Sequence, residues 1–238
     1  MLVFFNMLGA FAMIVQAACA FVKFVSLQQT FILWIVMMDN LNRKFEAYGL
    51  VNIRSVEPSV LVDLKYASTD NFMHQNMYGD LHEAYLLPEV AEKIAAAQRL
   101  LKAEFPERSI VIYDAARPLS IQKLMFDSVA GTPMEPYIAN PNDLAGFHNY
   151  GMAVDLTIIE NGKPLDMGTP YDFFGDLAHT DCDKAFLESG RLSTEAYANR
   201  QFLYGLMERV GMYPLPNEWW HYQYHTEADK KVYRLLDF

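Results

Sequence analysis

The chain has 238 residues, 52% of them hydrophobic and 20% charged, enough to bury one substantial core, and after the first forty residues nothing suggests a second domain. Its formal charge of −10 and its lack of any Lys/Arg cluster argue against a nucleic-acid surface and fit a small or zwitterionic substrate better. The two cysteines, Cys19 and Cys182, provide neither a disulfide framework nor a thiolate zinc site, so any metal must be held by His and carboxylate.

Residues 1–38 contain one charged side chain, Lys23, within an otherwise membrane-targeting composition. Three readings stand for this segment: a signal, an anchor, or an upstream stretch preceding a true start at Met37 or Met38. The first two imply membrane association through 1–38 and a periplasmic or membrane-anchored protein; the third implies a cytoplasmic one. The expected division is 1–38, a hydrophobic N-terminal segment, and 39–238, one globular domain.

From Asp39 the composition is ordinary, and Val51–Val56 and Val60–Tyr66 read as short strands with alternating apolar character. Residues 67–84, rich in Asn, Asp, Gly and His, read as a loop. Pro88 opens a helix to about Phe105, with Val90, Ile94, Ala97 and Leu101 on one apolar face. Ser109–Asp114 is a buried-strand pattern ending in Ala-Ala-Arg117-Pro118, and the proline places Arg117 at the strand end. Ser120 is the expected cap of a second helix to about Ala130. Residues 131–146 form a long loop leading to His148. Gly151–Ile158 alternates, so Asp155 faces away from Val154, Leu156 and Ile158. A third helix is expected from about Ser193 to Val210, stopped by Gly211, and Glu218–Tyr224 is aromatic and strand-like. Helices mixed with mainly hairpin-like strands, without a glycine-rich phosphate loop, favour an α+β fold with a central, mainly antiparallel sheet flanked by helices.

Two stretches carry the chemistry. His148-Asn-Tyr-Gly-Met-Ala-Val-Asp155 and Glu218-Trp-Trp-His221 together offer two imidazoles and a carboxylate, the three protein ligands of a catalytic zinc, with Glu218 left over as proton carrier. Gly151 allows the backbone to turn between His148 and the strand of Asp155. Strict alternation would put Glu218 and His221 on opposite faces, so the reading requires a bulge. A plainer alternative leaves Trp219, Trp220 and Tyr222 as core aromatics and Glu218 as a solvated strand-end charge. His179, Asp181, Cys182 and Asp183 read as a solvated polar surface, as do His74, His82 and His225, although the loop of His74 and His82 borders the expected pocket.

The residues after about position 50 resemble the D-alanyl-D-alanine dipeptidases, which share a zinc site with D,D-carboxypeptidases and the Hedgehog signalling domain. The resemblance rests on five ordered blocks: Asp63 to Phe72, Tyr113 to Pro118, His148 to Thr157, Met167 to Phe173, and Glu218 to Tyr222. It implies a D,D-peptidase-like fold over 39–238, one Zn2+ per chain on His148, Asp155 and His221, Glu218 as acid/base, and Arg117 stabilising the oxyanion. It further implies that Asp172 receives the ammonium of a D,D-dipeptide and that Tyr66 helps close the pocket. The chain departs from the family pattern at Gly146-Phe147, where relatives often place Ser or another small polar residue. The rival readings are a D,D-carboxypeptidase acting on peptidoglycan stem peptides and a non-catalytic, zinc-stabilised binding module.

Overall fold

The structure is a computed structural model that describes residues 41–224, 227 and 229–238, so the hydrophobic segment 1–38 and His225 lie outside the described residues. Among the described residues no helix is long and apolar enough to cross a membrane.

Strand β1 (Val51–Asn52) pairs antiparallel with β3 (Tyr85–Leu86) in a small ribbon. The main sheet comprises β2 (Leu61–Val62), β4 (Arg108–Asp114), β5 (Ala153–Glu160), β6 (Lys163–Pro164), β7 (Tyr213–Leu215) and β8 (Glu218–Gln223). Its order is β2-β4-β5-β8-β7, with β6 on β5, and every ladder is antiparallel except β2–β4. With helices α1 (Ile53–Val56), α2 (Pro88–Glu104), α3 (Leu119–Val129), α4 (Asp183–Glu188) and α5 (Thr194–Arg209), this is the α+β architecture expected.

The long elements form where apolar periodicity is strongest. Val90, Ile94, Ala97 and Leu101 of α2 are all buried, and so are Leu203, Leu206 and Met207 of α5. Ile110 and Ile112 of β4 and Val154, Leu156 and Ile158 of β5 are buried as well, and the two central strands are buried over most of their length. Ser193 caps α5, accepting from Ala196 N–H, as its hydroxyl and position require.

Three expectations are corrected. The segment 51–56 is only briefly a strand, because the Asn52 side chain accepts from Arg54 N–H and starts α1. Likewise 60–66 pairs over Leu61–Val62 alone and then enters a 3-10 turn at Lys65–Ala67. Ser120 is not the cap of α3, which begins directly after Pro118; its hydroxyl donates to Phe238 O, while Leu119 N–H donates to Leu236 O. The C-terminal tail thus satisfies amides that a capping side chain would otherwise have to reach.

Asp183 also departs from the surface reading. It is buried against Arg200, which is fully buried and donates to Asp183 Oδ1 at 2.5 Å, to Met167 O at 2.7 Å and to Leu177 O at 2.9 Å. One guanidinium therefore clasps both flanks of the segment 168–176.

Candidate active site

His148 lies in the 3-10 turn Phe147–Tyr150, which ends at Gly151 with φ +70°. A Cβ at Gly151 would meet Leu50 Cδ2 at 2.7 Å and the Leu87 backbone N at 3.3 Å, so both conformation and space demand glycine there. The chain then enters β5, where Asp155 is paired in register with His221 of β8. The four-residue stretch Glu218–His221 is irregular as anticipated: Pro214 opposes Tyr222 while the next residue, Leu215, already opposes Glu218. That offset resolves the alternation problem.

The donor atoms meet closely. His148 Nε2, His221 Nδ1 and Asp155 Oδ1 are separated from one another by 3.2 Å. His148 Nδ1 is 2.7 Å from Ala115 O, an acceptor only, so that nitrogen carries the proton and the Nε2 lone pair faces the other two groups. His221 Nε2 is 3.2 Å from Gln223 Oε1, which likewise leaves the Nδ1 lone pair inward. Asp155 Oδ1 is buried and has no hydrogen-bond donor, while Asp155 Oδ2 accepts from Tyr171 Oη at 3.0 Å. Three inward acceptors converge on one point. A tetrahedral zinc with bonds of about 2.0–2.1 Å has ligands about 3.3 Å apart, so the spacing and the N/N/O donor set fit a cation of that kind.

The same closeness couples the groups electrostatically. Burial works to depress the His148 pKa, yet the Asp155 carboxylate outweighs it and holds the value raised. Burial works the other way on Asp155, but the two imidazoles hold its carboxyl far below the usual range.

These groups open into a cavity of about 290 Å³, lined also by Tyr66, Arg117, Gln122, Asp172 and Glu218. Glu218 Oε2 is 3.8 Å from His221 Nδ1. Burial pushes the Glu218 carboxyl up to about 8, His221 opposing this and Asp155 and Asp172 adding to it. The alternative reading of Glu218 as a solvated charge does not fit that position, although Trp219, Trp220 and Tyr222 are indeed buried.

Arg117 is buried and held by neighbours on both sides. Its Nε donates to Asp114 Oδ2 at 3.0 Å and its Nη2 at 2.5 Å, while Nη1 donates to Gln122 Oε1 at 2.9 Å. Asp114 is itself fixed by Tyr78 Oη at 2.7 Å, and Gln122 Nε2 donates to Ala139 O at 2.8 Å in the long loop. Asp172 has φ +59°, an uncommon conformation for a non-glycine residue, and its carboxylate takes Tyr66 Oη at 3.0–3.1 Å and Phe72 N–H at 3.3 Å. Burial, with Asp155 adding, raises Asp172 to about 7 against those hydrogen bonds.

All seven residues singled out from the sequence line this one cavity. A larger cavity of about 470 Å³ shares Asp172 with it, and His74 lines it, but it holds none of the converging ligands, Glu218 or Arg117. Sequence reading missed Tyr171, Asp114, Gln122 and Gln223. Tyr171 and Asp114 lie inside quoted blocks, and nothing but three-dimensional proximity marks their partners.

The chain is similar to several known proteins. The Peptidase_M15 family, described as "D-ala-D-ala dipeptidase", matches residues 46–236. The chain is 29% identical over 175 residues to the D-alanyl-D-alanine dipeptidase of Escherichia coli K12, covering 73% of this chain and 83% of that protein. It is 24% identical over 163 residues to the protein of the same name from Synechocystis sp., covering 56% and 66% respectively. Among solved structures it is similar to the LdcB LD-carboxypeptidase, with TM-score 0.38 and 22% identity over 62% of this chain and 63% of that one. It is also similar to a variant of the vancomycin-resistance D,D-pentapeptidase VanY in complex with Zn(II), with TM-score 0.35 and 14% identity over 63% and 78%.

Proposed function

The chain belongs to the D-Ala-D-Ala dipeptidase family, and from that membership we propose that it hydrolyses D-alanyl-D-alanine with one zinc ion held by His148, Asp155 and His221. The observation that carries this reading is the set of three inward-facing acceptors 3.2 Å apart, in one cavity with Glu218 and Arg117. A zinc ion bound there supplies Lewis acidity to a peptide carbonyl and acidifies a water. Glu218 takes the proton of the attacking water and returns it to the leaving amine, a double duty suited to its place in the cavity beside His221.

Arg117 faces the oxyanion. Asp114 and Gln122 together occupy three of its N–H groups, and a guanidinium has five, so donors remain while the ring of contacts prevents the side chain from wandering. Asp172 receives the substrate's ammonium, and Tyr66, bonded to both its oxygens, closes that end of the cavity. The rings of Tyr66, Phe72 and Phe174 stack edge to face behind it. A closed, anionic end favours a dipeptide with a free ammonium over a longer stem peptide, which would bury Asp172 without a partner.

The test compares D-Ala-D-Ala, D-Ala-D-lactate, an L,L-dipeptide and a longer peptide ending in D-Ala-D-Ala, with metal removed and then restored as zinc. Hydrolysis of the first alone, lost and regained with zinc, is the expected result. Comparable turnover of the longer peptide would instead make the protein a D,D-carboxypeptidase, and tight zinc binding without hydrolysis a binding module.

A further inference from the structure

The cavity has a second charged pole. Lys230 lines it, and its side chain is 3% exposed, an unusual burial for an ammonium. Its Nζ donates to Ala145 O at 2.6 Å, lies 4.2 Å from the Phe147 ring centre, and pairs with Glu227 at 2.9–3.0 Å. The partner is the weak side of this arrangement, because the Glu227 side chain is 62% exposed and solvent screens such a pair.

A chain of contacts separates this pole from Asp172. Asp172 bonds Tyr66, Arg117 lies over the Tyr66 ring, Gln122 bonds Arg117, and Gln122 bonds Ala139, whose Cβ lies 3.3 Å from where a Cβ on Gly146 would be. Ala145 and Lys230 follow beyond Gly146. Both ends share one further trait: Ala145, at φ +54°, and Asp172, at φ +59°, are non-glycine residues held in the left-handed region. The loop at the Lys230 end presents Ala145, Gly146 and Phe147, none of which has a polar side chain.

We propose that Lys230 binds the C-terminal carboxylate of the substrate, with Glu227 as the resident counter-charge that the carboxylate displaces. The proposal rests on the dipeptide reading above. A zwitterion has one charge at each end, and Arg117 is committed to the oxyanion, with three of its N–H groups held by Asp114 and Gln122. Lys230 is buried like a binding group yet paired like a surface one, so exchanging an exposed carboxylate for a substrate carboxylate inside the cavity strengthens its interaction. Selection for a free carboxylate at one end and a free ammonium at the other sets the length of the substrate.

The test uses the zinc-loaded protein with D-Ala-D-Ala and its C-terminal amide. In the unmodified protein the amide is expected to show kcat/KM lower by about tenfold or more, the worth of a charge-assisted hydrogen bond. In Lys230→Gln the KM for the free acid rises by a similar factor and the preference for acid over amide disappears. Lys230→Arg restores part of that preference, and Glu227→Gln lowers the KM for the acid while leaving that for the amide unchanged. The acid-to-amide ratio is internal to each variant, so a general loss of folding does not imitate the result. Equal cleavage of acid and amide by the unmodified protein, or an undiminished preference in Lys230→Gln, overturns the role of Lys230 alone. Failure to cleave either compound overturns the dipeptide reading and this proposal with it.

Discussion

Glu218 and Asp172 are carboxylates in one cavity, and burial raises both, to about 8 and about 7, but their contacts differ and the proposed function gives them different work. Glu218 stands beside the converging ligands, whereas Asp172 is tethered by Tyr66 and Phe72 away from them. Glu218→Gln is expected to lower kcat by about 10²–10⁴, the usual worth of general acid–base catalysis, with the zinc content of the protein unchanged. Parallel metal analysis and kinetics decide it; near-normal turnover would remove Glu218 from the mechanism. Asp172 gives a pH signature. As the proposed ammonium receptor it must be ionised, so kcat/KM falls as pH drops through its free-enzyme pKa, which burial raises to about 7. Asp172→Asn should have low kcat/KM and a shallower acidic limb, the part owed to Glu218 remaining; an unchanged limb would show that Asp172 does not contribute to it. At this scale the cavity-lining residues were legible because zinc chemistry restricts residue types, and five blocks fixed their order. Tyr171, Asp114 and Gln122 were not legible, since a tyrosine bonded to Asp155 reads in sequence like any other half-buried aromatic.

Elements with long apolar periods were read to within a residue or two at their ends. Helix α2 was expected at 88–105 and runs Pro88–Glu104, and α5 was expected at 193–210 and runs Thr194–Arg209. Short segments were harder, because a two-residue strand has no period to detect and local side-chain bonds decide it, as Asn52 does at the start of α1. The polar run around Asp181–Asp183 misled for a related reason: its burial depends on Arg200, seventeen positions beyond Asp183. That clasp has a consequence for the cavity, because the segment between Met167 O and Leu177 O includes Asp172. Arg200→Met leaves Asp183 buried without its counter-charge, and breaking such a pair costs roughly 3–5 kcal/mol. Thermal unfolding should fall by on the order of 10 °C. The KM for the dipeptide should rise more than kcat falls, because Asp172, the proposed ammonium receptor, loosens while Glu218 stays on β8. An unchanged KM in a folded Arg200→Met would separate the clasp from the cavity.

At the scale of the whole molecule, the three proposed zinc ligands come from a turn, a central strand and the strand beside it, so their convergence is a property of the assembled sheet. Each donor points a lone pair inward, and the unfolded chain holds them apart at no cost. A cation that binds only the assembled set must therefore stabilise the fold: at a free concentration one hundred times its dissociation constant, by about 2.7 kcal/mol. Chelation is expected to lower the unfolding temperature by several degrees, and added zinc to restore it. Three variants make the origin of the shift unambiguous. His221→Ala removes a ligand and should lose most of the zinc-dependent shift, since a remaining His/Asp pair binds far more weakly. Tyr171→Phe removes the donor to Asp155 Oδ2 and should move the same shift to higher zinc concentration, by about 10–100-fold. Glu218→Gln should retain the shift in full while losing turnover. A zinc response that survives His221→Ala unchanged would mean that the stabilising ion sits elsewhere in the protein, whatever the activity of the variants.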